Sequence, residues 1–397
     1  MSDPLRVAIV GTGFMGRMHA HAWRTAPRFF DLPREPQVVL LAGSDAARTA
    51  AAAERFGIPE STDDWTNILA RGDIDAVDIC TPGDTHAEIA LAALSAGLHV
   101  LCEKPLANDV ADAERMAAAG IAAAERGIVA MCGFSYRRTP ALAFARRLIE
   151  EGRIGAVRHV RAQYLQDWLV DPDAPFTWRL DRARAGSGTL GDIGAHSIDT
   201  AQWLTGSPIT AVSAVTRTFV TDRPVLDERV GLGGRAEAGA RREQVTVDDA
   251  TAFTASFADG ALGVFEATRM ATGHRNANRI EISGDRGAVS FDFSRMNELQ
   301  FADATLPAGE QGFRRIDVTE PEHPYAGAWW PAGHGLGYEH LFTHQSVDFV
   351  RAVAGETAPH PSFADAAQVQ RVLDAVERSA AADSARTWVT QVEGVRS

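Results

Sequence analysis

Gly11-Thr12-Gly13-Phe14-Met15-Gly16 is the first segment whose residue types and spacing imply chemistry. It follows an apolar run, LRVAIV at 5–10, and precedes a segment with helical spacing. In that setting G-x-G-x-x-G serves a dinucleotide. The first glycine permits a tight turn, the second lets a pyrophosphate approach the backbone, and the third lets helix pack on strand. Amides at the helix start, around Phe14 and Met15, offer donors and partial positive charge to the phosphates. Gly11, Gly13, Phe14, Met15 and Gly16 are therefore candidate coenzyme contacts, with a ligand-free glycine turn as the ordinary alternative. A Walker-type loop needs Gly-Lys-Ser/Thr at its end, which Gly16-Arg17-Met18 does not supply. At the end of the second apolar run, where an acid normally holds the adenosine ribose, stand Gly43, Ser44 and Asp45. Without an acid at 43 nothing repels a 2′-phosphate, and Ser44 with Arg48 are candidate contacts for one. The expected coenzyme is thus NAD(P), leaning towards NADP over NAD. Asp45 reads as a helix N-cap before it reads as a ribose contact. His19 and His21, two apart on a helix, point to different sides with no cysteine or acid to complete a set. Both read as surface or packing residues, and no metal is expected.

These residues need elements to hold them. Short apolar runs recur at 5–10, 38–42, 76–80, 99–102 and 129–133, separated by Ala-rich segments of helical spacing at 15–26, 45–56, 87–96 and 109–126. Such alternation specifies a parallel sheet covered on both faces, a doubly wound α/β domain over residues 1–135. Residues 136–397 read instead as an α+β domain. A helix at 139–151 and a strand at 159–166 lead to a Gly-rich stretch at 185–194 and a helix at 193–204. From 212 to 316 apolar and polar residues alternate, as in TAFTASF, with turn pairs Asp259-Gly260 and Gly284-Asp285. This predicts a large, mainly antiparallel open sheet with one broad face away from its helices, a surface suited to a homo-oligomer, dimer or tetramer. Residues 227–243 read as a mobile excursion, and helices at 340–354 and 363–382 close the chain.

Apolar residues at 45% and charged residues at 23% exclude collagen-like, coiled-coil and wholly disordered chains. With 39 Lys+Arg against 52 Asp+Glu, the net charge of −13 disfavours nucleic acid as a partner. No run approaches the ~18 apolar residues of a membrane span. Cys80, Cys102 and Cys132 are widely separated, as in a reducing compartment, and Met1-Ser2-Asp3-Pro4 lacks the parts of a signal peptide. A cytoplasmic location is expected.

Three further stretches are Cys80-Thr81-Pro82-Gly83-Asp84-Thr85-His86, Cys102-Glu103-Lys104-Pro105-Leu106 and Gly191-Asp192-Ile193-Gly194-Ala195-His196. With the glycine loop they resemble the oxidoreductase family of glucose-fructose oxidoreductase, inositol dehydrogenase and the rhizopine-catabolism proteins, over nearly the whole chain. Within it, FSYRR at 134–138, YLQDW at 164–168, WRL at 178–180 and WPAGH at 330–334 are most similar to the levoglucosan dehydrogenase branch. The resemblance implies an N-terminal Rossmann domain and a second domain whose sheet covers the nicotinamide end of the coenzyme. The implied reaction is reversible hydride transfer between nicotinamide C4 and a carbinol carbon of a cyclic sugar, anhydrosugar, glycoside or polyol. The same resemblance makes Thr81, Pro82, His86, Glu103 and Lys104 coenzyme contacts and Lys104, Asp192 and His196 the catalytic set. Tyr136, Gln166, Trp168 and Arg179 join that set as substrate contacts, and the bond before Pro105 is expected to be cis.

The residue types suit this chemistry. Oxidising an alcohol needs a group that exchanges the hydroxyl proton as hydride leaves, and an imidazole with a pKa near ~6.5 is matched to that task. Asp192, four residues before His196, shares a face with it if the segment is helical and would fix the imidazole tautomer. Lys104 would polarise the oxygen, with the reverse division between His196 and Lys104 left open. Aromatic faces stack on the apolar side of a pyranose while phenol and amide read its hydroxyls, which suits Tyr136, Gln166 and Trp168. Trp178 and Arg179 would brace the nicotinamide or a substrate hydroxyl. Each has a plainer reading: Asp192 as a helix cap, His196 as a structural histidine, Lys104 as a solvated charge, and the aromatics as sheet packing. His334, in a loop with Trp329 and Trp330, would cover the site or meet another subunit. Two other functions compete: a redox-neutral sugar oxidoreductase that recycles a bound coenzyme in glycoside or sulfosugar breakdown, and a non-catalytic dinucleotide-binding regulator.

Overall fold

The computed structural model describes residues 3–226 and 239–390. The chain divides into two compact units, Met1–Pro140 with Thr319–Ala367, and Ala141–Val318 with Gln368–Ser397. The boundary read from the sequence at 135 follows chain order, whereas by compactness the first unit runs to Pro140 and takes back residues 319–367.

Strands β1 (Leu5–Val10), β2 (Pro36–Ala42), β3 (Glu60–Thr62), β4 (Ala76–Ile79), β5 (His99–Cys102) and β6 (Ala130–Cys132) form the first sheet. Its order is β3-β2-β1-β4-β5-β6, parallel throughout. Helices α1 (Phe14–Phe29), α2 (Ala46–Phe56), α3 (His86–Ser95) and α4 (Val110–Ala124) lie between the strands in sequence. Leu5, Val7, Ala8 and Ile9 of β1 are fully enclosed, as a near-continuous apolar strand requires of a sheet covered on both faces. The sequence runs account for every strand but β3, whose Glu-Ser-Thr has no apolar signature and sits at the sheet edge. In α1 the buried residues Gly16, His19, Ala20, Ala22, Trp23 and Ala26 make one stripe.

The second unit contains α5 (Pro140–Glu150, which starts at the boundary), β7 (Val157–Leu165), α6 (Arg182–Ala185), a π-helical turn over Leu190–Gly194 and α7 (Ala195–Thr205). There follow β8 (Ile209–Arg217), β9 (Asp222–Pro224), β10 (Arg242–Gln244), β11 (Ala250–Phe257), β12 (Leu262–Thr268), β13 (Ala277–Gly284), β14 (Gly287–Asp292), β15 (Glu298–Asp303) and β16 (Phe313–Asp317). After α8 (Tyr338–Val353) and α9 (Phe363–Ala381) comes β17 (Thr387–Trp388). The nine-stranded sheet runs β16-β15-β14-β13-β7-β12-β11-β8-β17 and is antiparallel except where β7 lies parallel to β12. Alternation decides the faces: Phe253 stands opposite Phe265 with rings stacked at 4.6 Å and both buried. The intervening residues Leu262 and Val264, with Val215 on β8, stay exposed. Of the stretch read as a mobile excursion, 227–238 lies outside the described residues, and Arg242–Gln244 is a strand paired with Asp222–Pro224. The end of the Gly-rich stretch, Leu190–Gly194, is the π-helical turn, so helical structure begins ahead of the helix expected from 193.

Helix α8 belongs to the first unit and packs on α1, with Trp23 edge-on to Phe349 at 5.7 Å and His19 against Phe342 at 5.5 Å. Among the described residues no helix is long and apolar enough to cross a membrane.

Candidate active site

Gly11 follows β1 at φ +122, a conformation side chains rarely adopt, and a Cβ there would meet the Cys80 carbonyl oxygen at 2.7 Å. A Cβ on Gly16 would meet the Gly11 oxygen at 1.9 Å, so α1 can lie against the turn only with glycine there. At Gly13 the same atom meets nothing within 4 Å. Gly13 caps α1 without a side-chain hydrogen bond, and the first helical turn carries no acid, which leaves the leading amides for an anion. The turn sits where β2 and β4 diverge from β1, with Gly11 N–H on the Ala42 oxygen at 2.8 Å and Cys80 N–H on the Val10 oxygen at 2.8 Å. This is the topological switch point, and the open, uncapped cradle fits a dinucleotide pyrophosphate. Exposed Phe14 stacks on Tyr338 at 6.4 Å, and Met15 is packed against the core of this unit.

At the end of β2, a Cβ on Gly43 would meet Thr49 Oγ1 at 2.2 Å and Thr12 Cγ2 at 3.0 Å, so packing of α2 closes that position to an acid. Asp45 is the N-cap of α2. It accepts from the Arg48 N–H at 2.8 Å, and that hydrogen bond holds its carboxyl below the ordinary carboxylate range. Ser44 and Arg48 are exposed, with Arg48 Nε 3.5 Å from Asp45.

Lys104 follows β5, is half-buried, and is joined to Pro105 by a cis bond. Its N–H donates to Glu103 Oε2 at 3.3 Å. Glu103 is itself buried, with Oε1 3.1 Å from Nε2 of His19. The other ring nitrogen of His19 is 2.8 Å from Asp78 Oδ2, which also accepts the Trp23 indole N–H at 2.6 Å. Burial opposes charge on His19, but the Asp78 carboxylate outweighs it and holds the imidazole well above its ordinary range. An imidazolium between two carboxylates thus ties α1, β4 and the Glu-Lys-Pro loop together. Ligand atoms of His19, Asp78 and Cys80 lie within 4.8 Å of one another. Both ring nitrogens face carboxylates, and burial pushes the Cys80 thiol up to about 12, so this cluster is held by hydrogen bonds. His86 is 1% exposed, with Nε2 2.9 Å from the Thr81 oxygen and Nδ1 3.0 Å from the Pro105 oxygen. It braces the Thr81-Pro82 and Glu-Lys-Pro loops against each other. Tyr136 is buried in a short helical turn of the same unit.

In the second unit Asp192 lies on the π-helical turn and His196 in the first turn of α7, so a widened turn separates them. The turn is gripped at its start: the buried Asp248 carboxylate accepts from the Gly188 N–H at 2.8 Å and the Leu190 N–H at 2.9 Å. Burial pushes the Asp248 carboxyl up despite those amides and Arg269. Asp192 Oδ2 is 3.4 Å from Nη1 of Arg269, whose side chain is fully enclosed. His196 is buried, with the Tyr164 ring at 6.0 Å. The Tyr164 hydroxyl and the Gln166 amide both donate to Asn276 Oδ1, each at 2.8 Å, and the Trp168 indole donates to Gln166 Oε1 at 2.9 Å. Trp168 packs on a small core of Leu169, Leu180, Val245 and Val247. Arg179 is half-buried and lies over the Trp178 ring at 4.5 Å. The late loop belongs to the first unit: Trp329 is packed on Phe29 at 4.4 Å and donates to His344 Nε2 at 2.7 Å, while His334 is exposed.

Within the first unit the structure brings together the glycine loop, Thr81, His86, Glu103 and Lys104; within the second it links Asp192, His196, Gln166 and Trp168. Matching families follow the same division. Residues 5–134 match the model of the oxidoreductase family, NAD-binding Rossmann fold, and residues 142–290 match the GFO/IDH/MocA C-terminal domain. Levoglucosan dehydrogenase of Pseudarthrobacter phenanthrenivorans is 42% identical over 388 residues, which span 97% of either chain. The chain belongs to the GFO/IDH/MocA oxidoreductase family. A solved oxidoreductase domain protein from Kribbella flavida is 55% identical, with a TM-score of 0.93 over 98% of this chain and 100% of that one. A levoglucosan dehydrogenase solved with NADH and levoglucosan is 41% identical, with a TM-score of 0.90 over 98% of this chain and 100% of that one. As a GFO/IDH/MocA member the protein is an NAD-binding oxidoreductase.

Sequence reasoning missed the supports of this family's motifs. His19 has the signal of standing on the buried stripe with Gly16, Ala20 and Trp23, and Asp78 that of an acid inside an apolar strand. Nothing in the local sequence singles out Asp248, Arg269 or Asn276.

Proposed function

We propose that the protein is an NAD(P)-dependent dehydrogenase acting on a carbinol carbon of a cyclic sugar, anhydrosugar, glycoside or polyol. The reading is carried by the second unit, where Asp192 lies on the π-helical turn that leads into α7 and His196, in the first turn of α7, packs its ring on Tyr164, whose hydroxyl shares Asn276 with the Gln166–Trp168 pair. Similarity to a levoglucosan dehydrogenase solved with its sugar supports it. When bound, the nicotinamide coenzyme exchanges the hydride. In this reading His196 holds the hydroxyl proton at a ring nitrogen, Asp192 orients the charge, and Lys104 is the ammonium that polarises the substrate oxygen. Positioned proton transfer of this kind is worth about 10²–10⁴-fold. Trp168 offers its ring to the apolar face of the sugar, and Gln166, Tyr136 and Arg179 read hydroxyls. At the coenzyme, His86 and Glu103 act as braces for Thr81, Pro82 and Lys104. The absence of an acid at 43, with Ser44 and Arg48 exposed, supports acceptance of NADP beside NAD. Exposed Val215, Leu262 and Val264 support association of copies through the second sheet, and the buried free cysteines support a cytoplasmic setting.

The test follows absorbance of reduced nicotinamide against a panel of sugars with each coenzyme. Lys104→Ala and His196→Ala are each expected to lose at least about 10²-fold in kcat, with coenzyme binding unchanged in His196→Ala and largely retained in Lys104→Ala. Near-normal turnover in either variant removes that residue from the catalytic set.

A further inference from the structure

The guanidinium of Arg269 is fully enclosed and so can touch no substrate. A buried cation persists only where its donors are matched, and each partner of this one bears on the site. Nε donates to Thr189 Oγ1 at 3.2 Å, Nη1 faces Asp192 Oδ2 at 3.4 Å, and Nη2 donates to the Asp248 backbone oxygen at 3.4 Å. The guanidinium also lies under the Trp168 ring, 5.5 Å from its centroid. The backbone of Arg269 is held as well: its N–H donates to the Asp249 oxygen at 3.3 Å, and its own oxygen accepts from Leu169 at 3.2 Å. Asp248 and Asp249 are the other acids nearby, and both direct their carboxylates at backbone amides: Asp248 at Gly188 and Leu190, Asp249 at Phe219 and Val220. Among the described residues, Asp192 is the carboxylate at ion-pair distance from Arg269.

We infer that Arg269 is a positioning residue that fixes the Asp192 carboxylate on its π-helical turn and, through the same guanidinium, the ring of Trp168. This rests on the reading of Asp192 as part of the catalytic set. A π turn leaves a carboxylate less defined by its own helix than an α turn does, so an outside anchor must set it. A planar fork can meet Thr189, Asp192 and Asp248 at once, whereas the single ammonium of lysine cannot. The sugar platform and the carboxylate are therefore set by one group, and loss of the fork disturbs both together.

The test is a double-mutant cycle on the full-length enzyme with its best sugar substrate. Arg269→Lys is expected to lower kcat about tenfold to a hundredfold, the effect of a misplaced catalytic group, with coenzyme affinity within about twofold of wild type. In an Asp192→Asn background the same change is expected to cost no more than about twofold, because the group it positions is already gone. The acid limb of the kcat/KM profile of Arg269→Lys is expected at higher pH than in wild type, which a general loss of packing would not produce. If Arg269→Lys multiplies fully onto Asp192→Asn, Arg269 does not act through Asp192 and the inference fails. If Asp192→Asn alone leaves kcat unchanged, it is the catalytic reading of Asp192 that fails. Should Arg269→Lys not fold, Thr189→Val removes the hydroxyl facing Nε at nearly constant volume. It is expected to lower kcat several-fold in wild type and not in Asp192→Asn; equal losses in both backgrounds overturn the inference.

Discussion

Two glycines of the loop make opposite demands, and substituting each by alanine separates packing from coenzyme binding. A methyl at Gly13 meets nothing within 4 Å, and the residue sits at φ −76, ψ −162, which any residue adopts. Alanine is a slightly poorer N-cap than glycine but lowers the entropy of the unfolded chain, so the stability change is expected within about 0.5 kcal/mol. The same methyl occupies the space through which a pyrophosphate reaches the leading amides of α1. Losing one charge-assisted hydrogen bond there costs about 1.5–3 kcal/mol, or about 10- to 150-fold in Kd. The assay is thermal unfolding with and without coenzyme at one hundred times the wild-type Kd, where wild type gains about 2.7 kcal/mol. A variant that binds about a hundredfold more weakly gains only about 0.4 kcal/mol under the same conditions. Gly16→Ala is the contrast: its Cβ would lie 1.9 Å from the Gly11 oxygen, so it is expected to unfold earlier even without coenzyme. If Gly13→Ala binds coenzyme as wild type does, or is destabilised as much as Gly16→Ala, the open space before α1 is not the phosphate site.

Other consequences can be measured independently. Burial lowers the His344 pKa to about 3, below the ordinary value near 6.5, so the neutral ring contributes stability above that value that is lost as pH falls. Between about pH 6 and about pH 4 the loss is about 2.5 kcal/mol, and urea unfolding of His344→Gln is expected to show a correspondingly shallower acid slope; an unchanged slope refutes the assignment. His19 runs in the opposite sense: raised by Asp78, its contribution is complete below about 6.5 and is lost as pH rises through its folded value. His19→Gln is therefore expected to be less stable at neutral pH and to converge with wild type under alkaline conditions. Arg48→Ala is expected to lower kcat/KM with NADP more than with NAD, and equal effects would place the 2′-phosphate elsewhere. Gly43→Asp is a poor probe of the same question, since its Cβ would collide with Thr49 before its carboxylate reached a ribose.

The first sheet was legible because buried parallel strands are continuous apolar runs and glycines mark their ends; β3, short and polar at an edge, carries no such mark. The alternating strands of the second sheet were legible for the complementary reason, one face wet and one dry, although β7 lying parallel to β12 left no local trace. Asp45 read correctly as a cap because capping is a local interaction. What escaped depends on contacts between distant residues: that the Glu103 carboxylate meets His19 of α1 is written nowhere near either residue in the sequence. The two backbone oxygens that face the ring nitrogens of His86 are likewise set by the fold and not by its neighbours in sequence. The π-helical turn under Asp192 is set by Asp248 from a strand start far along the chain, which no periodicity encodes.

The return of residues 319–367 to the first unit also bears on how the protein is made. At about 5–20 residues per second, a ribosome needs roughly 10–35 s to travel from Pro140 to Thr319. Until α8 emerges, Trp23 has no Phe349 to cover it, and a finished parallel sheet must wait with an open flank while the intervening residues fold. A chain stopped at Val318 is therefore expected to bind a hydrophobic dye that the full-length protein excludes.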